Sequence, residues 1–271
     1  MDRRQKILTG IDANSAHGIE IGALFSPVAL RSEGPIIYVD HETTDGLRKK
    51  YRNDPQVDIT ALVEVDAVWG DRTLRAAIGG SQRFDYIVAS HVIEHVPDLI
   101  SWLGEIREVL QDGGSVRLAV PDRRYTFDYL RRESTLVDLI HANVLRARIP
   151  LPYCILDQCL NGVHVDPHLA WAGPLDSAAL KHSHSLEAAI HVARDAARNG
   201  VYHDVHCWVF TPRSFAELFE KMVRLELTDF GCSGFFDTLH NQIEFFVHLT
   251  PYTDRELAAE SWARMRQSAN V

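Results

Sequence analysis

Several residues in this chain have the type and spacing for proton chemistry. His91 and His95 lie four apart in "ASHVIEHVPD" and can share one face of a helical turn. Histidine titrates near neutral pH, so it suits a base that takes a proton from an attacking hydroxyl or amine. Glu94, beside His95, can equally serve only to order the turn. Asp122 closes the run "SVRLAVPD" and is an alternative base, while His206 belongs to a second polar cluster with His203 and Asp204.

A second set of residues reads as a nucleoside site. Glu20 stands near the end of the apolar run "GIEI", and Gly22 follows it. Asp40 closes "IIYVD" where an acid can bridge ribose hydroxyls. Asp66, with Ala67 beside it in "VDAVW", is placed to accept from an adenine amino group. A dinucleotide loop carries three glycines, because a pyrophosphate lies against its backbone. Here Ala23, Leu24 and Phe25 fill the turn, so a cofactor without phosphates is expected. S-adenosylmethionine, with only a carboxylate and an ammonium at that end, fits the description, whereas a nicotinamide dinucleotide should show the missing glycines.

The elements that would position these residues alternate. Strands are expected at residues 18–21, 36–40, 62–69, 84–90 and 115–122, short and rich in Val and Ile. Ser26-Pro27 reads as the start of a short helix ended by Gly34-Pro35, and Leu99, Leu103, Ile106 and Leu110 recur at helical spacing. Mostly helical sequence follows, including "STLVDLIHANVLRAR" and "SLEAAIHVARDAARNG". Strand patterns return at 204–210, 225–230 and 242–249, with a helix capped by Thr211-Pro212 between the first two. The expectation is an α/β fold with a doubly wound, Rossmann-like, seven-stranded and mostly parallel sheet, an antiparallel last strand and a helical cap insertion. Residues 1–123 would form the cofactor-binding half, 124–203 the mainly helical insertion, and 204–271 the completing strands and helices.

Composition limits the function. Asp and Glu outnumber Lys and Arg by 37 to 28, giving a net charge of -9, which argues against nucleic acid as a partner. No stretch approaches a membrane span, and the N-terminal residues lack the apolar core of a signal peptide. The four cysteines, Cys154, Cys159, Cys207 and Cys232, form no disulfide or zinc pattern and suit a reduced, cytoplasmic protein. His164-x-x-x-His168 with Asp166, and His203-Asp204-x-His206, have metal-like spacing. However, 14 histidines make such pairs by chance, and no metal is expected. Trp171 and Trp208 can stack on sugar rings or simply be buried.

The segments "EIG", "YVDHE", "VDAVW", "FDYIVASHVIEHVPD" and "LQDGGSVRLAVPDRRYTFDYL" together resemble a class I S-adenosylmethionine-dependent methyltransferase. With "YHDVHCWVFTPRSFAEL" added, the set further resembles a subgroup associated with bacterial surface-polysaccharide biosynthesis. The resemblance implies methyl transfer to an oxygen or nitrogen of a small polar acceptor, a sugar or glycan in that subgroup. It implies that Glu20 meets the cofactor's ammonium, Gly22 passes its methionine portion, and Asp40 holds the ribose. Asp66 and Ala67 would meet the adenine, and Ser90 and His91 would line the methionine side facing the acceptor. A non-catalytic module that senses the cofactor or its product would keep Glu20, Gly22 and Asp40, and is the alternative in a different class.

Overall fold

Parallel strands covered on both faces need apolar residues at every position, and strand β1 (Gly18–Ile21) has them: all four residues are buried. The structure, a computed structural model, describes residues 1–270. Among them, β1 joins β2 (Ile36–Asp40), β3 (Ala67–Val68), β4 (Phe84–Ser90), β5 (Leu110–Pro121), β6 (Phe230–Phe236) and β7 (Glu244–Pro251) in one seven-stranded sheet. The order is β3-β2-β1-β4-β5-β7-β6. Strands β1 to β5 pair in parallel, and β7 runs antiparallel to both β5 and β6.

The helices are α1 (Arg3–Ile7), α2 (Thr44–Tyr51), α3 (Leu74–Ile78), α4 (Leu99–Val109) and α5 (Leu136–Val144). They continue with α6 (Pro152–Asn161), α7 (Pro167–Ala172), α8 (Leu186–Asn199), α9 (Pro212–Arg224) and α10 (Arg255–Ser268). One sheet face carries the main core. There Ile19, Ile87, Leu118 and Val247 meet Leu103 and Ile106 of α4, Phe219 of α9 and Trp262 of α10. The other face is covered more thinly, by Ile7 of α1 and by Ala23, Val28 and Ala29 of the loop after β1. Between β5 and α9, helices α6 and α8 share a small core of their own around Ile155, Cys159, Ala189 and Ala193. Leu139 and Ala142 of α5 pack instead into the main core. None of the described helices is long and apolar enough to cross a membrane.

Four segments depart from the sequence expectation. No helix starts at Ser26-Pro27, because the amides of Val28 and Ala29 donate to the Glu20 carboxylate. The strand expected at 62–69 shrinks to Ala67–Val68, since earlier residues turn to bond Leu24 and Thr44. Residues 204–210 form no strand apart from one bridge to Asp122. Their amides go to the Glu94 carbonyl and to Ser134, because β7 already occupies that edge of β5. Residues 225–229 end α9 and turn, so β6 begins only at Phe230.

One buried polar contact ties α1 to the sheet. Arg117 of β5 donates from Nη1 to His248 Nδ1 at 2.7 Å, and His248 Nε2 donates to the Lys6 carbonyl at 2.9 Å. A second proton would face a guanidinium, so burial and Arg117 push the His248 pKa down to about 4. Between about pH 4 and 6.5 the unfolded chain binds a proton that the folded chain refuses, so stability falls as pH drops through that window. Between pH 7 and 4.5, urea midpoints should show wild type losing on the order of 2–3 kcal/mol more than His248→Gln. Parallel losses in the two proteins would remove this account.

Candidate active site

Strand β1 has β2 on one side and β4 on the other, so the chain crosses over in both directions from it. That reversal opens a crevice beyond the carboxyl ends of the strands. Gly22 leaves β1 at φ +69°, its amide bonded to the Val39 carbonyl at 2.9 Å. A Cβ there would come within 2.8 Å of the Val92 side chain, so only glycine lets this turn lie against the segment after β4. Asp40 closes β2 and is buried, with His41 contacting Oδ1 through its amide at 2.7 Å and its Nδ1 at 2.6 Å.

Other expected cofactor contacts are committed elsewhere. Glu20 takes the Val28 amide at 2.8 Å and the Ala29 amide at 2.8 Å on its two oxygens, which makes it the anchor of the loop after β1. Burial raises its pKa to about 7 against the pull of those amides. Asp66 precedes β3 instead of ending it. It accepts from the Tyr38 amide at 2.8 Å and from Arg31 at 2.6 Å, while Ala67 is buried in the main core. The residues that follow β3 are Trp69, Gly70 and Asp71, and the Trp69 indole turns to Glu105 of α4 at 2.9 Å.

The polar centre lies just past β4. Ser90 accepts from Arg3, and His91 sits at φ +52°, a left-handed conformation uncommon for a residue with a Cβ. His91 Nε2 donates to Glu244 of β7 at 2.8 Å, and its Nδ1 lies 3.6 Å from Glu94 Oε1. The same Glu94 oxygen is 4.0 Å from His95 Nε2 and 3.9 Å from His206 Nε2. His206 Nδ1 donates to Asp128 at 2.7 Å, and His95 Nδ1 lies 2.9 Å from Asp204. Burial disfavours charge on His91 and His95, but the carboxylates around them hold both pKa values above the ordinary imidazole value. Three histidines from two distant segments thus converge on one carboxylate.

Asp122, expected as an alternative base, is fully buried and saturated. It accepts from Arg124 Nη2 at 2.8 Å and from the Thr238 hydroxyl at 2.8 Å, so it ties the end of β5 to neighbouring loops. His203 turns away to Asp195, and His164 and His168 are exposed and do not gather with other ligands. Trp208 is buried with its indole N–H on the Val96 carbonyl, while Trp171 stacks on Tyr125 at 4.0 Å. Sequence reasoning missed Asp128, Glu244 and Arg131. Glu244 alone carried a signal, as an acid at the head of the apolar run "EFFVHL". Asp122→Ala should lower stability by roughly 3 kcal/mol in urea denaturation, by stranding Arg124, and leave cofactor affinity within about twofold.

The crevice suits a phosphate-free nucleoside. Gly22 opens the turn after β1 and an acid ends β2, with no glycine-rich cradle for a pyrophosphate. A doubly wound sheet of this order, with a crevice at the switch point beside β1, is an α/β architecture of the Rossmann-like kind. Residues 3–222 match the family described as a methyltransferase domain, and the chain belongs to it. It is an S-adenosylmethionine-dependent methyltransferase. No curated protein matches the chain. Among solved structures, a Rhodobacter sphaeroides protein described as a Zn-dependent alcohol dehydrogenase is similar at TM-score 0.51 and 12% identity, covering 93% of this chain and 91% of that one. A Listeria monocytogenes protein described as an S-adenosylmethionine-dependent methyltransferase aligns at TM-score 0.47 and 13% identity, over 92% and 96% of the two chains. The CcbJ methyltransferase of Streptomyces caelestis aligns at TM-score 0.41 and 12% identity, over 92% and 94%.

Proposed function

We propose that this enzyme methylates an oxygen or nitrogen of a small polar acceptor, most simply a hydroxyl of a sugar or glycan. The observation that carries the reading is the histidine cluster at the end of β4, beside the turn at Gly22. When bound, the cofactor supplies a methyl group on a positively charged sulfur. Displacement at such a carbon is mainly a matter of positioning, and the attacking hydroxyl must also lose a proton.

His91 would take that proton. Glu244 holds its Nε2–H, which leaves Nδ1 as the acceptor, and the ring is about one-third exposed where Glu94 is not exposed at all. Asp40 would hold the ribose hydroxyls from the end of β2. Helices α5 to α8 would close over the acceptor and exclude water. The sugar assignment rests on the wider motif resemblance through "YHDVHCWVFTPRSFAEL". Four unpaired cysteines suit the reducing cytoplasm, where nucleotide sugars are made.

Calorimetric titration with S-adenosylmethionine, S-adenosylhomocysteine and NAD should show binding of the two sulfur nucleosides only. Asp40→Ala should weaken that binding at least about tenfold, the cost of a lost charged hydrogen bond. With methyl-labelled cofactor, transfer to a panel of nucleotide sugars and glycans should fall by roughly 10²–10⁴ in His91→Asn, with cofactor affinity kept. Binding of NAD alone would sink the reading. Equal transfer by wild type and His91→Asn would remove the base.

A further inference from the structure

Glu94 is fully buried, and neither of its carboxylate oxygens has a hydrogen-bond partner. An isolated carboxylate out of water costs several kcal/mol, so this site calls for a partner that its hydrogen bonds do not supply. No Lys or Arg reaches it, and its nearest polar neighbours are the inward nitrogens of His91, His95 and His206. Glu94, His95 and His206 each offer one ligand atom, and these atoms lie within 4.8 Å of one another.

The outer nitrogens explain why this grouping is more than a chance meeting of polar side chains. His206 gives its Nδ1–H to Asp128, and Asp128 is itself gripped by the buried Arg131 at 2.7 Å. His95 Nδ1 lies 2.9 Å from Asp204 without making a hydrogen bond, and Lys50 holds Asp204 at 3.0 Å. His95 Nε2 and His206 Nε2 both face Glu94 Oε1, at 4.0 Å and 3.9 Å, and neither makes a hydrogen bond to it. Ligand atoms gathered in this way around a buried carboxylate without a hydrogen-bond partner mark a place for a cation. Carboxylate–histidine pairs of this kind orient metal-binding rings in the same way. The spacing also agrees. Two ligand bonds of about 2.1 Å meeting near a tetrahedral angle hold their atoms about 3.4 Å apart, so the observed 3.9 Å and 4.0 Å need contract only a little.

We propose that Glu94, His95 and His206 bind one divalent transition-metal cation at the acceptor end of the crevice. Two imidazoles with one carboxylate suit zinc, manganese or iron, and they disfavour magnesium and calcium, which take oxygen ligands. Three protein ligands leave a coordination position open for an acceptor oxygen, next to His91. The sequence expectation of no metal rested on His164/His168 and on His203-Asp204-x-His206. The grouping found here draws one residue from the second and joins it to Glu94-His95, more than 100 residues earlier. The backbone fixes that union, with the Cys207 and Trp208 amides donating to the Glu94 carbonyl.

This inference rests on the acceptor reading for its role, but the site is tested without acceptor. Full-length protein stripped with a chelator would be titrated separately with Zn²⁺, Mn²⁺, Co²⁺ and Mg²⁺ by calorimetry, with Co²⁺ also followed by its visible absorption. One transition-metal ion per chain at micromolar affinity or tighter is expected, with Mg²⁺ at least 100-fold weaker. His95→Gln, on a partly exposed ring, and Glu94→Gln should each weaken binding at least 100-fold and erase the Co²⁺ spectrum. If Glu94→Gln fails to fold, His95→Gln carries the test, since its far-ultraviolet circular dichroism should match wild type. Absence of stoichiometric binding, or equal binding by wild type and His95→Gln, overturns the proposal. S-adenosylmethionine titrated into the same stripped protein separates the two readings. Cofactor binding without metal binding overturns only the cation site, and loss of cofactor binding overturns the function on which its role rests.

Discussion

Water cannot reach the interior around this sheet, and a carboxylate placed there has to be met by donors that the chain brings to it. Glu20 draws in the amides of Val28 and Ala29 and so shapes the loop after β1. Asp122 draws in Arg124 and Thr238 and closes the end of β5. Asp128 draws in Arg131 and His206 and fastens the segment before α9 to the loop after β5. The fold around the crevice is largely the set of solutions to this one constraint. Glu94 stands apart because protein atoms alone leave its oxygens without partners.

The same constraint separates acids that are saturated from side chains that keep an unpartnered atom. A saturated carboxylate such as Asp122 has no lone pair left for a reacting proton. His91, by contrast, keeps one nitrogen turned inward while Glu244 fixes the other. Its left-handed backbone is the sort of local cost that persists where surrounding structure over-determines it. Geometry at the end of β4 therefore distinguishes residues that the sequence presents as equals.

Strands β1, β2 and β4 were legible residue for residue, because short buried runs of Ile and Val between turn signals leave few other options. Helix α8 was legible as a helical segment beginning at Ser185, and α9 through its cap at Thr211. Residues 204–210 were not, since an apolar stretch laid across the end of a sheet has the same burial pattern as a strand within it. The Ser26-Pro27 helix failed for a reason invisible locally: its amides were claimed by a side chain eight residues earlier. At the site, Gly22, Asp40, His91, His95 and His206 could be picked out by type and position. Their outer carboxylates could not, because the pairing of Asp128 with His206 joins residues 78 apart.

Strand β7 slots between β5 and β6, and it carries Glu244. Glu244 meets His91 from 153 residues away and Arg3 from 241 residues away. During synthesis, β6 therefore emerges with no neighbour to pair with, and His91 waits without its orienting carboxylate until β7 leaves the ribosome. Long-range closures of this kind come late in folding. The nascent chain thus passes through an interval in which the strands that open the crevice can be assembled while the Glu244 partner of His91 is still absent.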